Sequence, residues 1–287
     1  MKPAPFEYYA PTTIAGALQV LRDVESARPL AGGQSLVPMM AVRLARPAAL
    51  VDLNTISELT GISEEDACLV IKSMTRQATV LHSEEVAHRV PLLIEALSNV
   101  GHPATRARGT IGGSVANADP ASELPVAMVA LDARFLIAGQ KGHRTVAAQE
   151  FFTGMFETAL GADELLIEIR VPFQRGVSSF LEISRRKGDF AIVSVAVKVS
   201  VNTETRCDGA AIVFGGIGPT PTRCSAAERE LLGRTIDESA IADSISATPL
   251  ELVELDSHGA SRSYRHRLAR VLLARALKIA SSRGEAR

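Results

Sequence analysis

Two glycine-rich segments, far apart in the sequence, constrain the fold of this chain more than any other feature. The first reads Ala31-Gly32-Gly33-Gln34-Ser35 and the second reads Thr110-Ile111-Gly112-Gly113-Ser114. Each follows residues that predict a strand or an extended segment, and each ends on a hydroxyl side chain. Because glycine has no β-carbon, the backbone N–H groups of such a turn approach an anion closely. Two such turns predict a ligand with two phosphates, and a dinucleotide cofactor is the first candidate.

A Gly-Gly pair after a strand is by itself more often only a tight turn, and that alternative stays open at this point. The chain contains no GxGxxG motif, so the dinucleotide fingerprint of a Rossmann fold is missing. The sequence therefore predicts a phosphate-binding protein of another fold.

The charge balance excludes one large class of function. The 287 residues include 31 Lys and Arg against 32 Asp and Glu, a formal net charge of −1. A nucleic-acid-binding protein needs a basic face. The basic residues that concentrate between Arg262 and Arg287 lie on a helical pattern, where they form a solvated face. We therefore expect no nucleic-acid partner.

Motifs for metal binding and for acid–base catalysis are missing from the sequence. Cys68, Cys207 and Cys224 are isolated and have no CxxC spacing, so no zinc or iron–sulfur site is predicted. The histidines are scattered, and no Ser-His-Asp or Cys-His order suggests hydrolysis. No segment approaches the ~18 apolar residues of a membrane span. We expect a cytoplasmic protein whose chemistry belongs to a bound cofactor.

The first fifty residues predict a compact βαβ unit. A Thr-Thr pair at 12–13 is a good N-cap for an amphipathic helix, and a short strand follows at 28–31. Ser35 is then expected to cap a helix over 36–44, before a strand at 49–53. The first glycine segment therefore lies at a strand-to-helix turn, where the N–H groups of a helix N-terminus attract anions.

The sequence of the remainder of the chain predicts an α+β fold, and its residue pattern changes after residue 176. Predicted strands lie at 68–72, 135–138, 144–147, 164–171, 178–184, 190–201 and 209–214, and predicted helices begin at Ser83, Pro91 and Ala121. The second glycine segment is expected to follow a loop that contains Arg106 and Arg108. The last residues read as helix.

A longer string around the second glycine segment is far more specific than a glycine pair. Residues 106–125 read Arg-Ala-Arg-Gly-Thr-Ile-Gly-Gly-Ser-Val-Ala-Asn-Ala-Asp-Pro-Ala-Ser-Glu-Leu-Pro. With Ala-Gly-Gly-Gln-Ser-Leu at 31–36, this string resembles the FAD-binding medium subunit of the molybdenum hydroxylases, of the carbon monoxide dehydrogenase, quinoline oxidoreductase and nicotine dehydrogenase types. The resemblance spans essentially the whole chain and includes residues 2–8, 151–154, 164–166, 185–191 and His258-Gly259-Ala260-Ser261.

The resemblance implies a vanillyl-alcohol-oxidase-like (PCMH-type) fold that binds FAD. Because no positioned His or Cys is assigned as a flavin attachment site, we expect the FAD to be bound without a covalent link. The residues it implies at the cofactor are Ala31, Gly32, Gly33, Gln34, Ser35, Leu36, Thr110, Ile111, Gly112, Gly113, Ser114, Asn117, Asp119, Glu123, Leu166, Lys187 and Phe190. Both glycine segments would wrap the pyrophosphate with backbone amides and hydroxyls. The polar residues of 117–123 would line the ribityl and ribose hydroxyls. Leu166 would contact the cofactor near its strand, and Lys187 and Phe190 would approach the isoalloxazine ring.

Several of these assignments have alternatives. The family often has Tyr or Trp where Phe190 stands, and phenylalanine stacks on a flavin but has no polar tip to form a hydrogen bond. Asp119 is also a candidate cap for a helix that begins at Ala121. Glu123 is also a candidate first-turn carboxylate that complements the helix dipole. Arg108, like Arg106, either meets phosphate or is solvated.

The resemblance implies one subunit of a larger enzyme. A large subunit with a molybdenum cofactor would oxidise the substrate, and a small subunit with two 2Fe-2S clusters would carry electrons to the FAD of this chain. The flavin would pass them to an external acceptor. The implied assembly is a dimer of heterotrimers, and no residue of this chain is expected to be catalytic.

The predicted FAD-binding domain covers residues 1–176, with subdomains at about 1–54 and 55–176, and a C-terminal sheet-and-helix domain covers 177–287. Two alternatives to the subunit function stay open. One is a stand-alone FAD-dependent oxidase or dehydrogenase of the same fold. The other is a non-catalytic assembly module whose glycine segments are only tight turns.

Overall fold

A computed structural model describes residues 2–248 and 260–285 of the chain. The His258-Gly259 pair of the family resemblance lies outside the described residues. Across the two described ranges, no helix combines the length and the apolar character needed to cross a membrane. The described residues form the α+β fold that the sequence predicts, and they contain three main sheets.

The N-terminal residues form the predicted βαβ unit. Its elements are β1 (Glu7–Tyr9), α1 (Ile14–Asp23), β2 (Ala27–Leu30), α2 (Leu36–Ala41) and β3 (Ala49–Asp52). The strands are parallel in the order β1-β3-β2, and the Thr13 hydroxyl caps α1 by accepting a hydrogen bond from the Gly16 N–H at 3.1 Å. Helix α2 is shorter than predicted, because the backbone turns to a φ of 60° at Arg43. Ser35 precedes α2 but makes no side-chain cap hydrogen bond, which corrects its predicted capping role.

The middle of the chain is a mainly antiparallel sheet covered by short helices. The strands are β4 (Ile62–Glu65), β5 (Cys68–Lys72), β6 (Arg134–Gly139), β7 (Gly142–Ala147), β8 (Phe152–Gly154), β9 (Glu157–Thr158) and β10 (Leu165–Pro172). The helices are α3 (Gln77–Leu81), α4 (Glu84–Arg89), α5 (Pro91–Asn99), α6 (Pro103–Arg108), α7 (Ile111–Asn117), α8 (Glu123–Ala130) and α9 (Ala148–Phe151), with a 3-10 turn at Ser57–Leu59. The main sheet has the order β4-β5-β10-β6-β7, while β8 and β9 pair separately. Every residue of α8 is buried, because seven of its eight side chains are apolar on all sides of the helix.

The segment before the second glycine pair differs from the prediction. Arg106 and Arg108 lie on helix α6, not on a loop. The glycine pair itself lies in the first turn of α7, where the Thr110 hydroxyl accepts a hydrogen bond from the Gly113 N–H at 3.0 Å. Within the described residues, no strand directly precedes this segment: α6 ends at Arg108, and Thr110 forms only an isolated bridge with Arg76. The second segment is therefore a helix N-terminus and not a strand-to-helix turn.

The C-terminal residues form the third main sheet, which is buried on both faces. Its strands β11 (Val177–Ser184), β12 (Ala191–Val201), β13 (Cys207–Gly215) and β14 (Thr222–Arg223) are antiparallel in sequence order, and α10 (Ser225–Arg229), α11 (Glu238–Ser246) and α12 (Arg262–Glu285) follow. Helix α12 packs on one face, and α5 and α8 pack on the other. In β12, Ala196 belongs to the core beneath α8, whereas Val195 and Val197 belong to the core beneath α12. Burial on both faces explains why this strand is apolar almost throughout.

Candidate cofactor site

The first glycine segment leaves a row of backbone donors without protein acceptors. In the part of the chain that the structure describes, the N–H groups of Gly32, Gly33, Gln34, Ser35 and Leu36 donate no hydrogen bond. Gly33 has a φ of +71°, and the Gln34 side chain donates to the Gly32 carbonyl at 3.1 Å. A run of N–H groups at the entrance to a helix forms a site for an anion. The predicted role of this segment is therefore chemically possible.

The second glycine segment uses its own amides within the protein. The Gly112 N–H donates to the Ser73 carbonyl at 2.8 Å, and the N–H groups of Gly113 and Ser114 donate to the side chain and carbonyl of Thr110 at 3.0 and 3.2 Å. Ile111 donates in the same way to the carbonyl of Thr75 at 3.0 Å. The structure thus corrects the idea that both segments supply free amides. The second segment offers the Ser114 hydroxyl, which lies 3.3 Å from the hydroxyl of Ser122.

The two segments meet in space, and close packing explains why glycine is present. A β-carbon at Gly32 would lie 2.3 Å from the carbonyl oxygen of Arg108, just before the second segment. A β-carbon at Gly113 would lie 3.1 Å from that of Ala31. At Gly112 the conflict is instead with Ser73, whose β-carbon would be 2.5 Å away. The fold therefore joins the two segments into one site.

A hydrogen-bond network that the sequence analysis did not find connects the two segments. Arg76 donates through Nη2 to Asn54 Oδ1 at 2.6 Å and through Nη1 to the Arg108 carbonyl. Asn54 Nδ2 donates in turn to the Ala31 carbonyl at 3.0 Å, and Asp52 accepts a hydrogen bond from the Asn54 backbone N–H at 2.9 Å. The only sign of this network in the sequence was the presence of polar residues directly after the strand that ends at Asp52.

The connection from α7 to α8 contains the polar residues implied for the sugar hydroxyls. Asn117 ends α7, and Ala118 turns the chain with a left-handed φ of 48°. Asp119 Oδ1 accepts a hydrogen bond from the Ala121 N–H at 2.9 Å. Because α8 begins at Glu123, Asp119 closes this turn and does not cap a helix beginning at Ala121. Glu123 does lie in the first turn of α8, and its side chain is only 4% exposed.

The buried carboxyl group of Glu123 and the half-buried one of Glu182 interact where α8 packs on the C-terminal sheet. Burial, with a smaller contribution from Asp119, raises the pKa of Glu123 to about 7. Burial and the charge of Glu123 raise the pKa of Glu182 to about 8. Among the described residues, Glu182 Oε2 has no hydrogen-bond partner, and neither has the hydroxyl of Ser194, which pairs with Glu182 across β11 and β12. The sequence analysis missed Glu182, because it is a single acidic residue within a strand pattern.

We expect the unfolding free energy of the FAD-free chain to fall by about 4 kcal/mol between pH 6 and 9. The pKa values of Glu123 and Glu182 in the folded chain lie above that of an unfolded glutamate. Each group therefore contributes stability that is complete below the unfolded pKa and is lost as the pH rises through about 7 and about 8. Urea denaturation of the deflavinated chain at several pH values measures this slope.

The variant Glu182→Gln should flatten the slope above pH 7, because an amide does not ionise. Glu150→Gln, at an exposed position at the end of α9, is the matched control and should keep the wild-type slope. An unchanged slope in Glu182→Gln would show that Glu182 is not the group that titrates.

Of the remaining residues predicted at the cofactor, Leu166 lies on β10, and Lys187 and Phe190 lie between β11 and β12. Leu166 is 5% exposed on β10, a strand that packs against α7 and so borders the second glycine segment. Lys187 and Phe190 lie in the turn between β11 and β12. Gly188 in this turn has a φ of +86°, and a β-carbon there would lie 2.5 Å from the His102 ring. Since His102 directly precedes α6, the turn packs beside the N-terminal end of that helix.

The β11–β12 turn borders an open cleft of about 550 Å³. Phe190 is 49% exposed and lines the cleft with Arg185, Arg186 and Asp189, among others. Arg186 and Asp189 form an ion pair at 3.0 Å that closes the turn. An exposed aromatic face beside a cleft of this size is available for stacking on a planar ligand.

Residues 2–248 and 260–285 contain no group of three or more His, Cys, Asp or Glu side chains placed to hold a metal ion. Cys68, Cys207 and Cys224 are free thiols, and the last two are buried.

Two family profiles together match most of the chain. The family described as "FAD binding domain in molybdopterin dehydrogenase" matches residues 4–174. The family described as "CO dehydrogenase flavoprotein C-terminal domain" matches residues 178–280.

Individual proteins are similar over nearly the full length of the chain. The 6-hydroxypseudooxynicotine dehydrogenase complex subunit alpha of Paenarthrobacter nicotinovorans is 36% identical, over 96% of this chain and 95% of that protein. A solved structure of carbon monoxide dehydrogenase from Hydrogenophaga pseudoflava has a chain that matches with a TM-score of 0.95 and 35% identity, over 99% of this chain and 100% of that one. Quinoline 2-oxidoreductase from Pseudomonas putida 86 has a chain that matches with a TM-score of 0.94 and 37% identity, over 99% of each chain.

Proposed function

Because this chain belongs to the FAD-binding medium subunits of the molybdenum hydroxylases, we propose that it is the electron-transferring flavoprotein subunit of such an oxidoreductase. It accepts electrons from 2Fe-2S clusters on a partner chain and passes them to an external acceptor. FAD supplies the redox chemistry when bound, and this chain supplies its position and its surroundings.

The observation that carries this proposal is the meeting of the two glycine segments. The first presents five successive N–H groups that have no protein acceptor in the described chain. Because Gly32 packs closely against the Arg108 carbonyl, this row of N–H groups lies beside the second segment. Five free donors fit the oxygens of a pyrophosphate, and the Ser114 hydroxyl adds a further polar group. The residues present therefore fit the diphosphate of FAD.

We propose further roles for the residues around the glycine segments. Asn117, Asp119 and Glu123 bind the ribityl and ribose hydroxyls, since amide and carboxyl oxygens accept hydrogen bonds from sugar hydroxyls. Leu166 contacts the cofactor from β10. Lys187 and Phe190 border the isoalloxazine ring from the β11–β12 turn, where Phe190 offers an exposed aromatic face but no polar atom.

We propose a domain boundary after residue 176. Residues 1–176 bind FAD through subdomains at about 1–54 and 55–176, and residues 177–287 form the C-terminal domain. In support, β11 begins at Val177, and the matched families divide between residues 174 and 178. The two domains share a buried contact, because α5 and α8 pack on the C-terminal sheet.

We propose that the complex contains a large molybdenum-cofactor subunit and a small 2Fe-2S subunit, assembled in the cytoplasm as a dimer of heterotrimers. Relatives named as a complex subunit alpha and as a medium chain support this composition. The test is purification from the native host, followed by subunit masses and by molybdenum, iron and FAD analysis. The chain should co-purify with larger and smaller partners and both metals. A chain recovered alone and without metal would contradict the proposal.

We expect the flavin to be FAD and to be held without a covalent bond. The free N–H groups of the first glycine segment, which lies against the second, fit a diphosphate, and the sequence assigns no His or Cys as an attachment site. Acid precipitation of the yellow native protein should release all of the flavin into the supernatant as FAD. Colour that stays with the precipitated polypeptide would overturn the non-covalent assignment, and recovery of FMN alone would remove the role of a second phosphate.

A further inference from the structure

Arg76 lies between the two glycine segments and is connected to both. Its guanidinium donates to the Arg108 carbonyl and to Asn54 Oδ1, and Asn54 donates to the Ala31 carbonyl at 3.0 Å. The backbone reinforces this position, because Arg76 bridges to Thr110 and the next N–H, of Gln77, donates to the Gly109 carbonyl at 2.9 Å.

The charges around Arg76 favour an anion. Desolvation and the neighbouring Arg108 guanidinium lower the pKa of Arg76, and the Asp52 carboxylate partly offsets them. Two guanidinium groups therefore stand near one carboxylate beside the free N–H groups of the first segment. This excess of positive charge is compensated when a phosphate group binds nearby.

We propose that Arg76 is a positioning residue for the pyrophosphate of FAD, which it serves by holding the two glycine segments at their observed separation. The inference rests on the proposed function and adds a residue that does not belong to either glycine segment. Arg76 acts through Asn54 on the first segment and through the Arg108 carbonyl on the second. It is not assigned a contact with the reacting ring.

The chemistry of arginine suits this task better than that of lysine. A planar guanidinium donates from two nitrogen atoms at a fixed angle, and Arg76 uses Nη1 and Nη2 for acceptors that belong to different segments. A lysine ammonium is a point charge on a flexible stem and does not hold two acceptors at a fixed separation. Arg76→Lys should therefore recover the charge but only part of the binding.

The test uses the deflavinated full-length chain, titrated with FAD and with ADP, which supplies two phosphates without a flavin. Arg76→Ala should raise the Kd of both ligands by on the order of 10- to 100-fold, with Arg76→Lys between this variant and wild type. Asn54→Ala should also raise the Kd of both ligands, because it removes the hydrogen bond to the Ala31 carbonyl. The matched control is Arg22→Ala, which removes an exposed Arg22–Asp23 ion pair at 2.6 Å on α1 and should bind as wild type does.

Thermal unfolding of the FAD-free variants separates positioning from a purely structural role. The proposal requires an apo midpoint close to wild type together with the loss of affinity. Unchanged affinity in Arg76→Ala, or a loss of affinity matched by a collapse of apo stability, would overturn it. If the wild-type chain binds FAD no more tightly than riboflavin, the proposed function itself fails, and that outcome is independent of any Arg76 variant.

Discussion

The isolated, FAD-loaded chain is expected to remain oxidised when it is mixed anaerobically with the organic substrate of its complex, although dithionite reduces it. No metal-ligating cluster is present in residues 2–248 and 260–285, and no acid–base constellation is predicted from the sequence. The proposed function assigns substrate oxidation to the molybdenum subunit. The visible absorbance of the flavin, recorded over time after mixing, reports the redox state of the flavin.

Addition of the partner subunits should restore reduction of the flavin by substrate. The same mixture with heat-denatured partner subunits is the control and should leave the flavin oxidised. Reduction of the isolated chain by an organic substrate at a rate comparable to that of the complex would contradict the subunit function. The stand-alone flavin oxidase would then take its place.

Gly33→Val is expected to raise the FAD Kd by about 100-fold or more, because it removes access to at least two N–H donors for a charged ligand. Gly33 has a φ of +71°, so the substitution also strains the backbone by ~1–3 kcal/mol. Gly233 has a φ of +73° with open space where a β-carbon would lie. Gly233→Val in the C-terminal region therefore has the same strain and is the matched control for stability.

Equilibrium unfolding and FAD titration should give similar destabilisation in these two variants, but a loss of FAD only in Gly33→Val. Gly113→Val should also cost FAD affinity, because a β-carbon there would lie 3.1 Å from that of Ala31 and would press on the first segment. The same β-carbon would lie 2.7 Å from the Thr110 hydroxyl that caps α7, so part of the effect falls on stability. Full FAD occupancy of both site variants at micromolar protein would show that the glycines are only turn formers.

Local features of the fold were predictable, because their causes lie within a few residues. The Thr13 cap, the strand at Cys68–Lys72 and the apolar helix at Pro91–Asn99 each follow from neighbouring side chains and were correctly placed. The second glycine segment was misread, because two glycines suggest a turn when only propensity is considered. Thr110 instead caps a helix, and Gly112 is required by its packing against Ser73.

The residues from Arg106 to Pro125 were enough to identify the family and the class of cofactor, because the motif that they form is contiguous in the sequence. Only the tertiary structure decided how the site is assembled. The Arg76–Asn54 connection and the interaction of Glu123 with Glu182 join residues whose spacing follows no local period. Side chains of this kind are selected by contacts that exist only after sheets and helices have packed, and no short-range pattern records them.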